Sequence, residues 1–314
     1  MLDANAFPHL VDTVLSHCTR PTLLTLRLVS RSLRDSADGA LAAHVVLYAP
    51  DRTAPEYIDI LTREGRHPAF LLARVYSPFG EHTTCSEAFH RTVTILERTR
   101  TVDLVGDMDL DSLNAIASAL SVDLVRTRPG EDGAPPPLGI VHAPRLISFT
   151  SFTSQSPCVP PVLVPDGTST FTLHIRYAIA DAGHAHAHLG PIKLASSVST
   201  VAVIFSPQTR TTAGPLPIAD LRPAIDTLVL CVAAHLPEVQ FTFVGCDGLS
   251  LFHHPLKRPL SVESAIRNGV HIKLSAQGLN NWQCVGAMYQ LRFCTVAQWQ
   301  AMRDPVDFAL EMEE

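Results

Sequence analysis

Three groups of residues have the types and spacing for chemistry. Asp107, Asp109 and Asp111 alternate like the opening ligands of a calcium loop, in which carboxylates wrap a hard cation. Such a loop also needs glycine at its sixth position and glutamate at its twelfth, and Ser112 and Ser118 stand there. The spacing therefore favours Asp111 as the cap of a following helix, with the other two in a solvated turn. His184, His186 and His188 alternate with alanine, so on a strand all three imidazoles would share one face, as zinc ligands can. They follow Asp181 and Gly183 in a stretch that reads as a loop between strands, where a solvated histidine-rich loop is the simpler expectation. Cys85 with His82 and His90 offers a thiol beside two bases, but nucleophile and base are partners in the fold, not in the chain. No lysine follows a glycine, and there is no G-x-G, G-x-S-x-G, H-E-x-x-H or C-x-x-C. The expectation is a chain with no catalytic residues, no metal site and no cofactor.

The elements that would position these residues alternate between helix and strand. Residues 7–38 read as dense helix, with Pro21 opening the second segment, where a missing N–H is tolerated. His44–Tyr48 follows as a strand, and Pro55–Glu64 reads as a helix. Ser86 is a candidate N-cap for a helix to about Thr99, with Phe89, Val93 and Leu96 on one face. Thr101–Val105 is echoed by Ser121–Val125 across a helix-like Asp111–Leu120, the pattern of two equivalent strands joined by one crossover. Further strands are expected at Leu146–Phe152, Thr170–Tyr177, Thr200–Phe205, Val239–Gly245 and Tyr289–Thr295. Helices are expected along Ile218–Val232, from Ser261 to Ala276 and around Gln298–Met302. Proline-rich stretches at Pro135–Pro137 and Pro157–Pro165 should be loops, because proline removes backbone donors. Strand–helix alternation implies a largely parallel sheet.

Composition narrows the function classes. Of 314 residues, 46% are hydrophobic and 17% charged, with a net charge of −6, which excludes a long disordered chain. No basic excess exists to release counterions from a phosphate backbone, so nucleic acid is not an expected partner. No run approaches the roughly 18 apolar residues of a membrane span, and Asp3 stands where a signal peptide needs a cation. A cytoplasmic or nuclear protein is expected. Its seven scattered cysteines then read as reduced, buried small side chains.

The N-terminal segment carries a resemblance. Phe7-Pro8 precedes an amphipathic helix to Cys18, and Pro21 opens a second helix that runs into Leu28-Val29-Ser30-Arg31 before a third segment, Leu33–Asp38. This resembles an F-box, with Leu10 where that family has an acidic residue and Leu33 where it has an aromatic. The remainder resembles, more loosely, the irregular leucine-rich-like regions that follow F-boxes in many fungal proteins. The resemblance implies an α/β protein with an F-box-like helical segment at 1–43. An irregular leucine-rich-like solenoid with a largely parallel sheet would occupy 44–314. It further implies a substrate-recognition adaptor of a cullin–RING ubiquitin ligase, in which the helices bind a Skp-type subunit and the α/β region binds an unknown protein target. Phe7, Pro8, Leu10, Val11, Val14, Leu15, Leu23, Leu24, Leu28 and Val29 are the candidate partner-binding side chains. A stand-alone interaction scaffold is the alternative. Lysine is scarce, with only Lys193, Lys257 and Lys273, which would suit a receptor held beside a ubiquitin-transfer site, although a GC-rich genome explains the bias as well.

Overall fold

The computed structural model describes residues 8–49, 57–63, 74–76, 87–108, 110–117, 120–129, 136, 141–152, 158–177, 185–207, 219–236, 238–247, 249–251 and 260–313. The chain is mixed α/β and divides into two compact units, residues 1–126 with 140–143, and 127–139 with 144–314. No helix among the described residues is long and apolar enough to cross a membrane.

The first unit opens with α1 (Pro8–Ser16), α2 (Arg20–Leu26) and α3 (Arg31–Leu41), then β1 (His44–Tyr48), β2 (Tyr57–Thr62), β3 (Arg74–Tyr76), α4 (Glu87–Leu96), β4 (Thr101–Val105) and α5 (Leu110–Ala117). Its strands lie in the order β4-β1-β2-β3, with β1 parallel to β4 and the other pairings antiparallel. Val45, Leu47, Ile58, Ile60, Val102 and Leu104 are buried in the core, as are Ile95 and Leu96 from α4 and Leu113 and Ile116 from α5. On the other face of β1 and β4, the buried Asp103 carboxylate meets His44 Nε2 at 3.0 Å and Arg126 Nε at 3.5 Å.

The expected helix at Pro55–Glu64 is instead strand β2 over its described part. Ile58, Ile60 and Thr62 are the buried positions, a period of two, and their β-branched side chains suit a pleated surface better than a helix. The Thr101–Val105 echo is also out of register. The amides of Arg100 and Thr101 donate to the Ala43 carbonyl, and those of Asp123 and Leu124 donate to the Arg100 carbonyl. The counterpart of Thr101 is therefore Leu124, where β5 (Leu124–Arg128) begins, and Ser121–Asp123 precede the strand. The division between the units falls within β5.

The second unit continues with β6 (Arg145–Phe152), β7 (Cys158–Val159), β8 (Val162–Leu163), β9 (Thr170–Tyr177), β10 (Ala185–His186), β11 (His188–Leu189), β12 (Ile192–Lys193), β13 (Thr200–Pro207) and β14 (Ala219–Asp220). Then come α6 (Arg222–His235), β15 (Gln240–Val244), β16 (Ser250–Leu251), β17 (Leu260–Ser261), α7 (Val262–Ala276), α8 (Asn281–Met288), β18 (Leu291–Cys294), α9 (Val296–Met302) and α10 (Pro305–Met312). Strands β6, β9, β13, β15 and β18 lie side by side in chain order, each parallel to the next.

The stretch expected as proline-rich loop holds two short strands. β7 pairs with β11, β8 with β12 and β9 with β13 at one offset of 30 residues (158 to 188, 162 to 192, 170 to 200). Successive coils stack so closely that a Cβ on Gly190 would lie 2.6 Å from the Pro160–Pro161 peptide.

Register places Arg145, Ile147 and Phe149 beside Thr170, Thr172 and His174, and these beside Thr200, Ala202 and Ile204, all on one sheet face. Ala202, Ile204 and Val244 pack there with Trp299 of α9 and with Phe308 and Met312 of α10. On the opposite face, the Arg267 guanidinium of α7 lies 4.3 Å from the Phe293 ring centroid. Both faces of this sheet are covered, as parallel sheets require.

Gly245 ends β15 at φ +75, and a Cβ there would stand 2.5 Å from the Phe205 carbonyl oxygen. Gly167 shares the left-handed conformation at φ +88 with no atom within 4 Å of a built Cβ. Gly167→Ala should cost about 1–2 kcal/mol, the left-handed penalty alone. Gly245→Ala should cost about 3 kcal/mol or more, because the clash adds to it. Equal denaturant midpoints for the two variants would contradict this.

Candidate functional site

The N-terminal helices build a core of their own. Leu15, Leu23, Ala37 and Leu41 are buried together, with Val11, Cys18, Leu24, Leu26 and Ala40 packed against them. Ser30 caps α3 by accepting from the Leu33 amide. Arg27, just past α2, donates from Nε to the buried Asp38 carboxylate of α3, and Arg34 Nε donates to the Arg27 carbonyl at 3.2 Å. Arg98 reaches α3 by donating to the Asp35 carbonyl at 3.0 Å.

The ten candidate partner-binding residues divide accordingly. Leu15 and Leu23 face inward, at 3% and 5% exposure, within the helical core. Val11 and Leu24 are half-buried. Leu10 and Val14, one turn apart on α1, are 48% and 62% exposed, and Leu28 and Val29, between α2 and α3, are 81% and 65% exposed. Phe7 lies outside the described residues, as does the side chain of Pro8.

The groups weighed for metal or nucleophilic chemistry fall largely outside the description. Asp109, His184, His82 and Cys85 are not among the described residues, nor are the side chains of Asp111, His186 and His90. Asp107 and His188 are exposed. Among the described residues no cluster of three or more His, Cys, Asp or Glu could hold a metal ion. Cys231 and Cys246 are buried, and burial pushes both thiols up to about 12, which leaves them as protonated small side chains near neutral pH.

A polar network that no sequence motif marks lies beneath α10. His174 of β9 is fully buried, 5.2 Å from the Phe149 ring. Its Nδ1 is 2.9 Å from the Glu311 backbone carbonyl and its Nε2 is 2.6 Å from Ser206 Oγ. A carbonyl only accepts, so Nδ1 carries the proton and Nε2 accepts from the Ser206 hydroxyl. The Glu311 carboxylate, 1% exposed, accepts from Trp299 Nε1 at 2.8 Å and pairs with Arg303 at 3.4 Å. Arg145 pairs with Asp307 at 2.8 Å, and Arg176 donates to the Met312 carbonyl at 3.3 Å.

This Ser–His pair resembles an activated nucleophile only in outline. Burial, reinforced by the Arg176 charge and opposed by the bond to Glu311, pushes His174 down to about 4. A base that weak takes a proton poorly near neutral pH. The arrangement instead hydrogen-bonds the end of α10 to the sheet. On β9, Thr170, Thr172, His174 and Arg176 alternate with apolar residues, and in the structure Thr172 and His174 are both buried. A polar strand face that is buried needs a polar cover.

These groups give stability a pH dependence. His174 titrates at about 4 folded and 6.5 unfolded, so the unfolded chain binds the proton first and stability falls as pH drops through that window. Burial raises Glu311 above 4.5, against the opposing pull of Arg303, Trp299 and Arg145. Its contribution has the opposite sign, being lost as pH rises through the raised value. Glu311→Gln should therefore steepen the loss of stability between pH 6.5 and 4, and His174→Asn should flatten it. Parallel pH profiles of the denaturation midpoint for both variants and the parent would contradict this.

No family model, curated protein or solved structure matches the chain.

Proposed function

We propose that the chain is a non-enzymatic substrate-recognition adaptor of a cullin–RING ubiquitin ligase, binding a Skp-type subunit through α1–α3 and a protein target through its α/β region. The observation that carries this reading is the state of the N-terminal helices. They satisfy their own core and still leave Leu10, Val14, Leu28 and Val29 in solvent. Large apolar side chains held outward on a preformed scaffold are suited to bury against the helices of a partner. The F-box-like spacing of Pro8, Pro21 and Leu28–Arg31 names the partner class.

The second unit supports the other half of the proposal. Parallel strands in chain order, with coils stacked at one 30-residue offset, suit a solenoid whose repeats each contact only their neighbours. Such a protein works by raising the effective concentration of its target beside the charged ubiquitin carrier. Co-purification of the tagged chain with a Skp-type adaptor tests the reading. Recovery of the adaptor supports it, and recovery no greater than from Val14→Asp/Leu28→Asp chain leaves a scaffold without ligase association.

A further inference from the structure

We infer that the sheet face beneath α10 is a recognition seat for an acidic amphipathic helix, and that α10 is its built-in occupant. A partner segment of the same chemistry would take the place of α10. The inference concerns the target of the α/β region and stands apart from adaptor docking by α1–α3.

The seat reads out a helix C-terminus. The last carbonyls of any helix lack intrahelical donors. Here the sheet supplies them, with His174 Nδ1–H to the Glu311 carbonyl at 2.9 Å and Arg176 to the Met312 carbonyl at 3.3 Å. A cation at that end also complements the helix dipole. One turn back from Glu311, Arg145 selects a carboxylate at Asp307, at 2.8 Å. Apolar specificity comes from Phe308 and Met312 against the cluster of Ala202, Ile204, Val244 and Trp299. Asp307, Phe308, Glu311 and Met312 thus define a helix with two acids one turn apart, each followed by an apolar side chain, ending where the sheet caps it.

The occupant is weakly committed to its place. α10 has eight residues, too few for a helix to persist alone in water. Glu311 is its one buried residue, and Val306 is 67% exposed. Its links to the sheet combine the partly buried Phe308 and Met312 with polar bonds from His174, Arg176 and Arg145, and buried polar links confer specificity more than stability, since desolvation offsets most of their attraction.

Two measurements on the full chain test this. In native-state hydrogen exchange, amides of α10 should exchange at least 100-fold faster than those of β9 and β13. A fluorescent peptide of residues 303–314 should bind Asp307→Arg chain at least 10-fold tighter than the parent, because the built-in helix is loosened while the seat is intact. Arg145→Glu chain should bind that peptide weakly, and should recover binding to a peptide that itself carries Asp307→Arg. α10 exchanging as slowly as β9, or one peptide affinity across parent and variants, would overturn the inference. Dimers of Asp307→Arg chain formed by exchanging tails would overturn the partner in favour of a second copy.

Discussion

Val14→Asp combined with Leu28→Asp should weaken binding to a Skp-type adaptor by at least about 100-fold while changing stability by no more than about 0.5 kcal/mol per site. Both side chains stand outside the helical core, at 62% and 81% exposure, so a carboxylate there remains solvated in the free chain. In a complex the same carboxylate would lose its water without gaining a partner, at a cost of several kcal/mol. Leu15→Asp is the uninformative choice. Leu15 is 3% exposed among Leu23, Ala37 and Leu41, so its loss would unfold the helices whatever their function. Circular dichroism with calorimetric titration separates the cases, and an unchanged affinity in the exposed-site variant would remove α1–α3 from the proposed interface.

Asp38→Ala should destabilise the N-terminal helices by about 3–5 kcal/mol, the range for removing one partner of a buried ion pair. Asp38 is 1% exposed, and its partner Arg27 is 17% exposed at the side chain. Removing the carboxylate leaves a guanidinium facing the core between α2 and α3. Replacing both residues by leucine should recover much of the loss, because the desolvation of both charges is relieved together. Urea unfolding of Arg27→Leu, Asp38→Leu and the double-leucine variant gives the coupling directly. Additive losses would show that the pair does not hold the helices. If the helices also dock an adaptor, Asp38→Ala should lower that affinity through loss of the docked conformation.

The strands of the second unit were legible in the sequence because their alternation is strong. Thr170–Tyr177 was read to its exact bounds, and the helix from Ser261 to within a residue of α7, which the structure starts at Val262 with Ser261 accepting from the Ser264 amide. The 30-residue offset was not legible. Between the two coils Pro161 and Pro191, Ser169 and Ser199, and Thr170 and Thr200 match in type, while His174 faces Ile204 and Arg176 faces Ser206. The repeat is carried by backbone spacing, so identities conceal it. The opposite error produced the Val-Asp-Leu-Val echo, where matching identities fall at different places relative to the strand.

α10 carried a readable start, since Asp304 caps it and Pro305 occupies its first position. Its seat did not. His174 and Glu311 are 137 residues apart in the chain, and a histidine within an alternating strand gives no sign of what will cover it. In the N-terminal helices, periodicity marked the apolar positions but not their direction. Leu15 and Val14 are both apolar neighbours on α1, and only packing against α3 decides that the first is core and the second is surface.

The central claim is that α1–α3 dock a Skp-type adaptor, and a calorimetric titration of the purified full chain with a purified recombinant Skp-type subunit tests it most directly. The expected result is a saturable one-to-one complex with a negative heat-capacity change from apolar burial, abolished in the Val14→Asp/Leu28→Asp chain. No binding by the parent chain, or binding that the variant retains unchanged, would contradict it.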